Sequence, residues 1–128
     1  MQDVPFPHRR EFSRVAVHLH ATVTANDVRH EGGTMENVSL KGGFLRVVNG
    51  PPEGADCDVR MHLDGTEIVV HARGAVVRSG PAGSAIQFTE IVGVDSLEHL
   101  RNLILFNTHD PAQVEQEFHQ HLGLKRDQ

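Results

Sequence analysis

A period of two constrains this chain more than any other feature. From Val15 onward Val15, Val17, Leu19, Ala21 and Val23 are apolar, and the intervening His18, His20, Thr22 and Thr24 are polar. Strands send successive side chains to opposite faces, so this alternation reads as a half-buried β-strand. It returns as Val59, Met61 and Leu63 set against Arg60, His62 and Asp64. Chain breakers separate such runs. Asn26 to Gly33 is polar, ends in Gly-Gly and reads as a turn or hairpin loop. Thr34 to Ser39 predicts a second strand and Phe44 to Val48 a third, with Gly42-Gly43 between them. Asn49-Gly50-Pro51-Pro52 is a loop, because proline donates nothing to a sheet ladder. Asp64-Gly65 is a two-residue hairpin signal. The returning strand runs from Glu67 to Arg73, bends at Gly74 and continues through Arg78. Gly80-Pro81-Ala82-Gly83 turns the chain into a last strand, Ala85 to Ile91. Short strands with regular turns predict a mainly β fold, an antiparallel barrel of about six strands, closed or nearly so.

The period then changes. Asp95-Ser96-Leu97-Glu98 offers a capping-box start, and Leu97, Leu100, Leu103 and Ile104 mark one helical face. Asp110 is placed to cap a second helix, with Pro111 at its first position and Gln113 three residues on. Val114, Phe118 and Leu122 recur every four residues, and Gly123 is a natural stop. The expectation is two C-terminal helices over about 95–123. The first closes the barrel. The second is short and loosely docked, with a stripe able to receive a partner helix. A chain of 128 residues has room for one domain and one core. Residues 1–8, with Pro5 and Pro7, read as a flexible leader. Residues 9–128 read as a single domain whose barrel occupies about 9–92.

Composition excludes several function classes. A net charge of −5 and a pI of about 6.0 disfavour bulk DNA or RNA binding, which neutralises many phosphates. Trp and Tyr are absent, so stacking would fall to Phe. No apolar run approaches the roughly 20 residues that cross a bilayer, and the N-terminus has no apolar signal core, so a cytoplasmic protein without membrane insertion is expected. Cys57 is the only cysteine, which rules out an internal disulfide or a multi-thiolate metal site. Asp56 and Asp58 flank it and raise its thiol pKa. Ten histidines are the main anomaly. His18 and His20 share one strand face, but no third metal ligand is identifiable, and His119 and His121 diverge around a helix. Neither GxxxxGK[ST], HExxH, a dinucleotide GxGxxG nor a Ser-His-Asp spacing is present. No catalytic residue, metal or cofactor is therefore expected, and the chain does not read as an enzyme.

Two short motifs carry the remaining signal. Arg10 and Arg14 form RxxxR, with Arg9 just before them; Asn37-Val38-Ser39-Leu40-Lys41-Gly42 forms NxSxxG. Either alone is ordinary, a solvated charge pair or a turn. In this order, separated by one strand and one loop, they resemble the PilZ family of cyclic-di-GMP receptors, whose signature is RxxxR followed by [D/N]xSxxG. "ENVSLKGGFL" resembles the family's second and third strands, and "GAVVRSGPAGSAIQF" its later hairpin. "DSLEHLRNLILFN" followed by an Asp-Pro helix resembles the C-terminal helices of short standalone members. The similarity runs from about Arg9 to Leu122.

That resemblance implies a six-stranded antiparallel PilZ-like β-barrel with C-terminal α-helices. It implies a bacterial, cytoplasmic, non-enzymatic receptor of cyclic-di-GMP. Its N-terminal arginine segment would rearrange around the ligand and signal to a downstream protein partner. The implied ligand-binding residues are Arg9, Arg10, Arg14, Asn37, Ser39 and Gly42. Secondary candidates are Lys41, Gly43, Arg73, Val76 and Arg78, with the strand from Gly74 to Arg78 supplying a floor at Val76. A monomer is expected, with no cofactor beyond the ligand. The chemistry suits the residues. A guanidinium fork makes bidentate, charge-assisted bonds to phosphate, matches guanine O6 and N7, and stacks on a base. The Asn37 amide both donates and accepts, so it can pair with a guanine edge. Ser39 offers a small hydroxyl. Gly42 permits close backbone approach and unusual φ/ψ, and Gly43 doubles that freedom. The alternatives are a PilZ-fold adaptor that binds no nucleotide and a small barrel enzyme or metal protein using the histidines. Such adaptors typically lose the arginines, which are intact here.

Overall fold

The computed structural model describes residues 13–126, with side chains described as far as His119. The alternating runs form six strands: β1 (Val15–Ala25), β2 (Val28–Ser39), β3 (Gly42–Arg46), β4 (Asp56–His62), β5 (Val69–Gly80) and β6 (Gly83–Ile91). Every pairing is antiparallel, and the order β1-β2-β3-β6-β5-β4 closes through β1 against β4. Closure removes the open edge that would otherwise template aggregation. The apolar half of each alternation fills the interior. Val23, Met35, Val38, Val59 and Met61 are all 0% exposed. Two helices follow, α1 (Val94–Asn107) and α2 (Pro111–Arg126). α1 packs against β5 and β1 and sets Leu100 and Ile104 into the core. Among the described residues no helix is long and apolar enough to cross a membrane.

Several local expectations are corrected. The β1–β2 connection is two residues, not eight: Asn26 and Asp27 adopt φ of 53° and 65°, and Ala25 pairs with Val28. Their short polar side chains tolerate the left-handed region, so a primed hairpin turn forms and residues 28–33 stay in β2. Asp64-Gly65 does not make a tight hairpin. Leu63 N donates to Ile68 O at 3.1 Å, and Thr66 Oγ1 donates to Leu63 O at 2.8 Å. These bonds hold a wider loop, and β5 begins at Val69. β3 ends at Arg46, leaving Val48 85% exposed.

The helices also differ from the reading. α1 has no side-chain cap; it starts from Gly93 at φ 89°. Ser96 turns inward instead, and its hydroxyl accepts from His71 N at 3.0 Å. α2 does use Asp110, whose Oδ1 accepts from Gln113 N at 3.1 Å. It is neither short nor loosely docked. It is 16 residues long and continues through Gly123 to Arg126, and Val114 and Phe118 are 0% and 2% exposed. Those two residues are committed to the core and offer nothing to a partner helix.

Candidate functional site

The second motif builds the turn between β2 and β3. Ser39 Oγ accepts from Lys41 N at 3.1 Å and donates to Gly42 O at 3.4 Å. With Ser39 only 3% exposed, its hydroxyl shapes the turn. Lys41 O accepts from Phe88 N at 2.8 Å, which ties the turn to β6. Gly42 and Gly43 are required by space. A Cβ on Gly42 would lie 2.3 Å from Ile86 O, and one on Gly43 2.5 Å from Asn37 O. Neither has a positive φ, so the unusual backbone expected there is not what the glycines supply.

Register sorts the neighbouring side chains by face. Asn37 pairs with Phe44, Phe44 with Ala85, and Ala85 with Arg78, giving a continuous row across β2, β3, β6 and β5. Phe44 is partly exposed and Arg78 is exposed, so this row lies on the outer surface. The adjacent row, Val38, Gly43, Ile86 and Val76, points into the barrel. A bulge between Met35 and Asn37 leaves both Glu36 and Asn37 partly exposed.

The first motif reaches this face. Val15 pairs with Val38, so the chain enters β1 beside the NxSxxG turn. Arg14 Nη1 donates to Asn37 Oδ1 at 2.7 Å. The structure thus joins one residue of each motif, 23 positions apart in sequence. Arg9 and Arg10 lie outside the described residues. Arg78 stands at the far end of the outer row. Arg73 is directed elsewhere: its guanidinium lies 3.8 Å from Asp58 and 3.4 Å from Glu90, in the row Thr24–Asp58–Arg73–Glu90. Val76 is corrected outright. At 1% exposure its side chain fills the core and presents no outer floor. Phe44 is the aromatic beside Asn37 that the sequence reading passed over. The cross-strand pairing that identifies it is not readable from spacing alone.

Two surface depressions differ in charge. One, about 470 Å³, is lined by Asp27, Asp56, Asp58 and Arg73 among others. Three carboxylates beside one arginine make a poor seat for a phosphate. The other, about 530 Å³, lies beside the outer row and includes Thr34, Glu36, Phe44, Arg46, Val48 and Pro81. Here Arg46 Nε pairs with Glu36 at 2.9 Å. Cys57 is buried near the acidic depression. Burial first, then Asp56 and Asp58, pushes its thiol from the ordinary 9.0 up to about 11. Among the described residues no three His, Cys, Asp or Glu side chains converge on a metal position. His18 and His20 are exposed, and His20 lies 3.8 Å from Asp64.

The sequence model of the PilZ domain matches residues 8–106, most of the chain. The chain belongs to the PilZ domain family. Solved structures carry the same fold. The PilZ domain of YcgR from Escherichia coli, solved with c-di-GMP, superposes with a TM-score of 0.59 at 14% identity, covering 90% of this chain and 98% of that one. The PilZ domain of CeSA from a cellulose-synthesizing bacterium gives 0.55 at 19% identity, covering 73% and 96%. The Bacillus subtilis inhibitor of motility MotI/DgrA gives 0.57 at 19% identity. Against that longer protein the match covers 75% of this chain and 50% of the other. A search of curated protein sequences finds no match. PilZ domains are non-catalytic receptor and effector domains, known as cyclic-di-GMP receptors.

Proposed function

We propose that this PilZ domain is a cyclic-di-GMP receptor in a bacterial cytoplasm, and that its arginine segment closes over the nucleotide. The observation that carries this reading is the Arg14–Asn37 hydrogen bond at 2.7 Å, which brings both halves of the double motif onto one outer face. Arg14, with Arg9 and Arg10 ahead of it in the chain, supplies guanidinium forks for phosphate and guanine. Asn37 supplies an amide for a guanine edge, and Phe44 beside it supplies a ring on which a base can stack. Ser39, Gly42 and Gly43 act by shaping the turn that holds Asn37. Arg78 bounds the far end of the same row. Arg73 and Val76 have no part in it. The ligand-ordered arginine segment then offers or hides a surface for a downstream protein.

Calorimetric titration tests this reading. Cyclic-di-GMP is titrated into the wild type and Arg14→Ala, with GTP as the control ligand. The receptor reading expects micromolar or tighter binding that Arg14→Ala loses and GTP does not mimic. No heat with the wild type would leave the nucleotide-free adaptor as the function of this fold.

A further inference from the structure

We infer that Glu117 on α2 is a positioning residue for Arg14, and that α2 thereby takes part in the nucleotide response; this rests on the receptor reading above. Glu117 is 7% exposed, between the buried Val114 and Phe118 on the inner side of α2. A carboxylate at that depth is costly unless hydrogen-bonded. Its Oε1 accepts from Ser13 N at 2.8 Å. Its Oε2 accepts from Ser13 Oγ at 2.8 Å and from Gln113 Nε2 at 3.2 Å. Two of those three donors belong to one residue, and that residue sits inside RxxxR, immediately before Arg14.

Two-point fixation of Ser13 sets where the next side chain leaves the backbone. A helix 104 positions away in sequence therefore determines how Arg14 approaches Asn37. Charge-assisted bonds are the stronger kind, so this clamp holds Ser13, and with it the Arg14 backbone, before ligand arrives. A contact residue already positioned binds with less entropic cost. The coupling is reciprocal: a nucleotide that holds Arg14 also tightens the seat of α2. The motif spacing gives no hint of this, because Ser13 occupies a variable position of RxxxR.

The test uses the full chain as wild type, Glu117→Gln and Gln113→Ala. Gln113→Ala removes only the contact within α2 and keeps both bonds to Ser13. The readouts are hydrogen exchange at the Ser13 amide without nucleotide, cyclic-di-GMP affinity, and thermal melting. Glu117→Gln is expected to exchange Ser13 at least about tenfold faster and to bind about tenfold more weakly, the size of one charge-assisted hydrogen bond. Gln113→Ala is expected to bind like the wild type. A role confined to helix stability would lower melting in both variants and leave affinity unchanged, which overturns the proposal. So would equal Ser13 exchange in wild type and Glu117→Gln, or unchanged or tighter binding by Glu117→Gln. Should Glu117→Gln fail to fold, Ser13→Ala removes the Oγ donor alone; it is expected to bind about threefold more weakly, and wild-type affinity in it overturns the proposal. No binding by the wild type overturns the receptor reading and the positioning role with it. That case is recognised by Ser13 protection that Glu117→Gln still lacks.

Discussion

Asn37 sits where a bulge lets it face outward, and its side-chain oxygen already holds Arg14. Asn37→Ala removes that partner and the amide, and is expected to weaken cyclic-di-GMP binding about tenfold or more. Asn37→Asp keeps an acceptor for Arg14 and for the guanine donors, and is expected to stay within a few-fold of wild type. Both are read by calorimetry. Gly42→Ala forces a Cβ to within 2.3 Å of Ile86 O, against backbone that cannot yield cheaply. A loss of about 1–3 kcal/mol is expected in denaturant unfolding. Cys57 gives a pH signature. Its folded pKa lies above its ordinary value, so the neutral thiol favours the fold below pH 9.0, and that contribution is lost as pH rises towards about 11. Alkylation at pH 8 is expected to be slow, with unfolding and labelling accelerating together above pH 9. At this scale the motif residues were legible because they are fixed by identity and spacing. Facing was harder. Counting by twos from Ala72 places Val76 inward, and the family resemblance had drawn it outward. Arg78 lies outward only because the register shifts between Val76 and Arg78.

At the scale of elements, alternation sufficed for the strands and failed at their ends. The Asn26-Asp27 turn was hidden inside a polar stretch, because the following residues pair in β2 although they do not alternate. The capping pattern at Asp95 was misleading. Ser96 is needed by His71 N, and Gly93 begins the helix. α1 closes the barrel through Leu100 and Ile104, both at most 1% exposed. Leu100→Ala is expected to cost about 2–5 kcal/mol in denaturant unfolding, through lost burial and the cavity left behind. α2 was underestimated because its four-residue stripe looks sparse. What seats it is buried Glu117 together with Val114 and Phe118, and a glutamate in a sequence reads as surface.

Across the whole molecule, an acidic chain of net charge −5 is proposed to bind an anion. The barrel resolves this by segregation. Asp27, Asp56 and Asp58 gather around one depression, while Arg14, Arg46 and Arg78 lie on or beside the face that carries Asn37 and Phe44. The closed sheet that separates the two faces follows from strand order, which no local pattern announces. The most direct measurement is a map of backbone amide shifts as cyclic-di-GMP is added to the labelled wild type. The account predicts saturable shifts across Asn37 to Phe44, at Ala85 and Arg78, and at Ser13 and Arg14, with Asp27 and Asp56–Asp58 unmoved. Shifts centred on the acidic depression, or none at all, would contradict it.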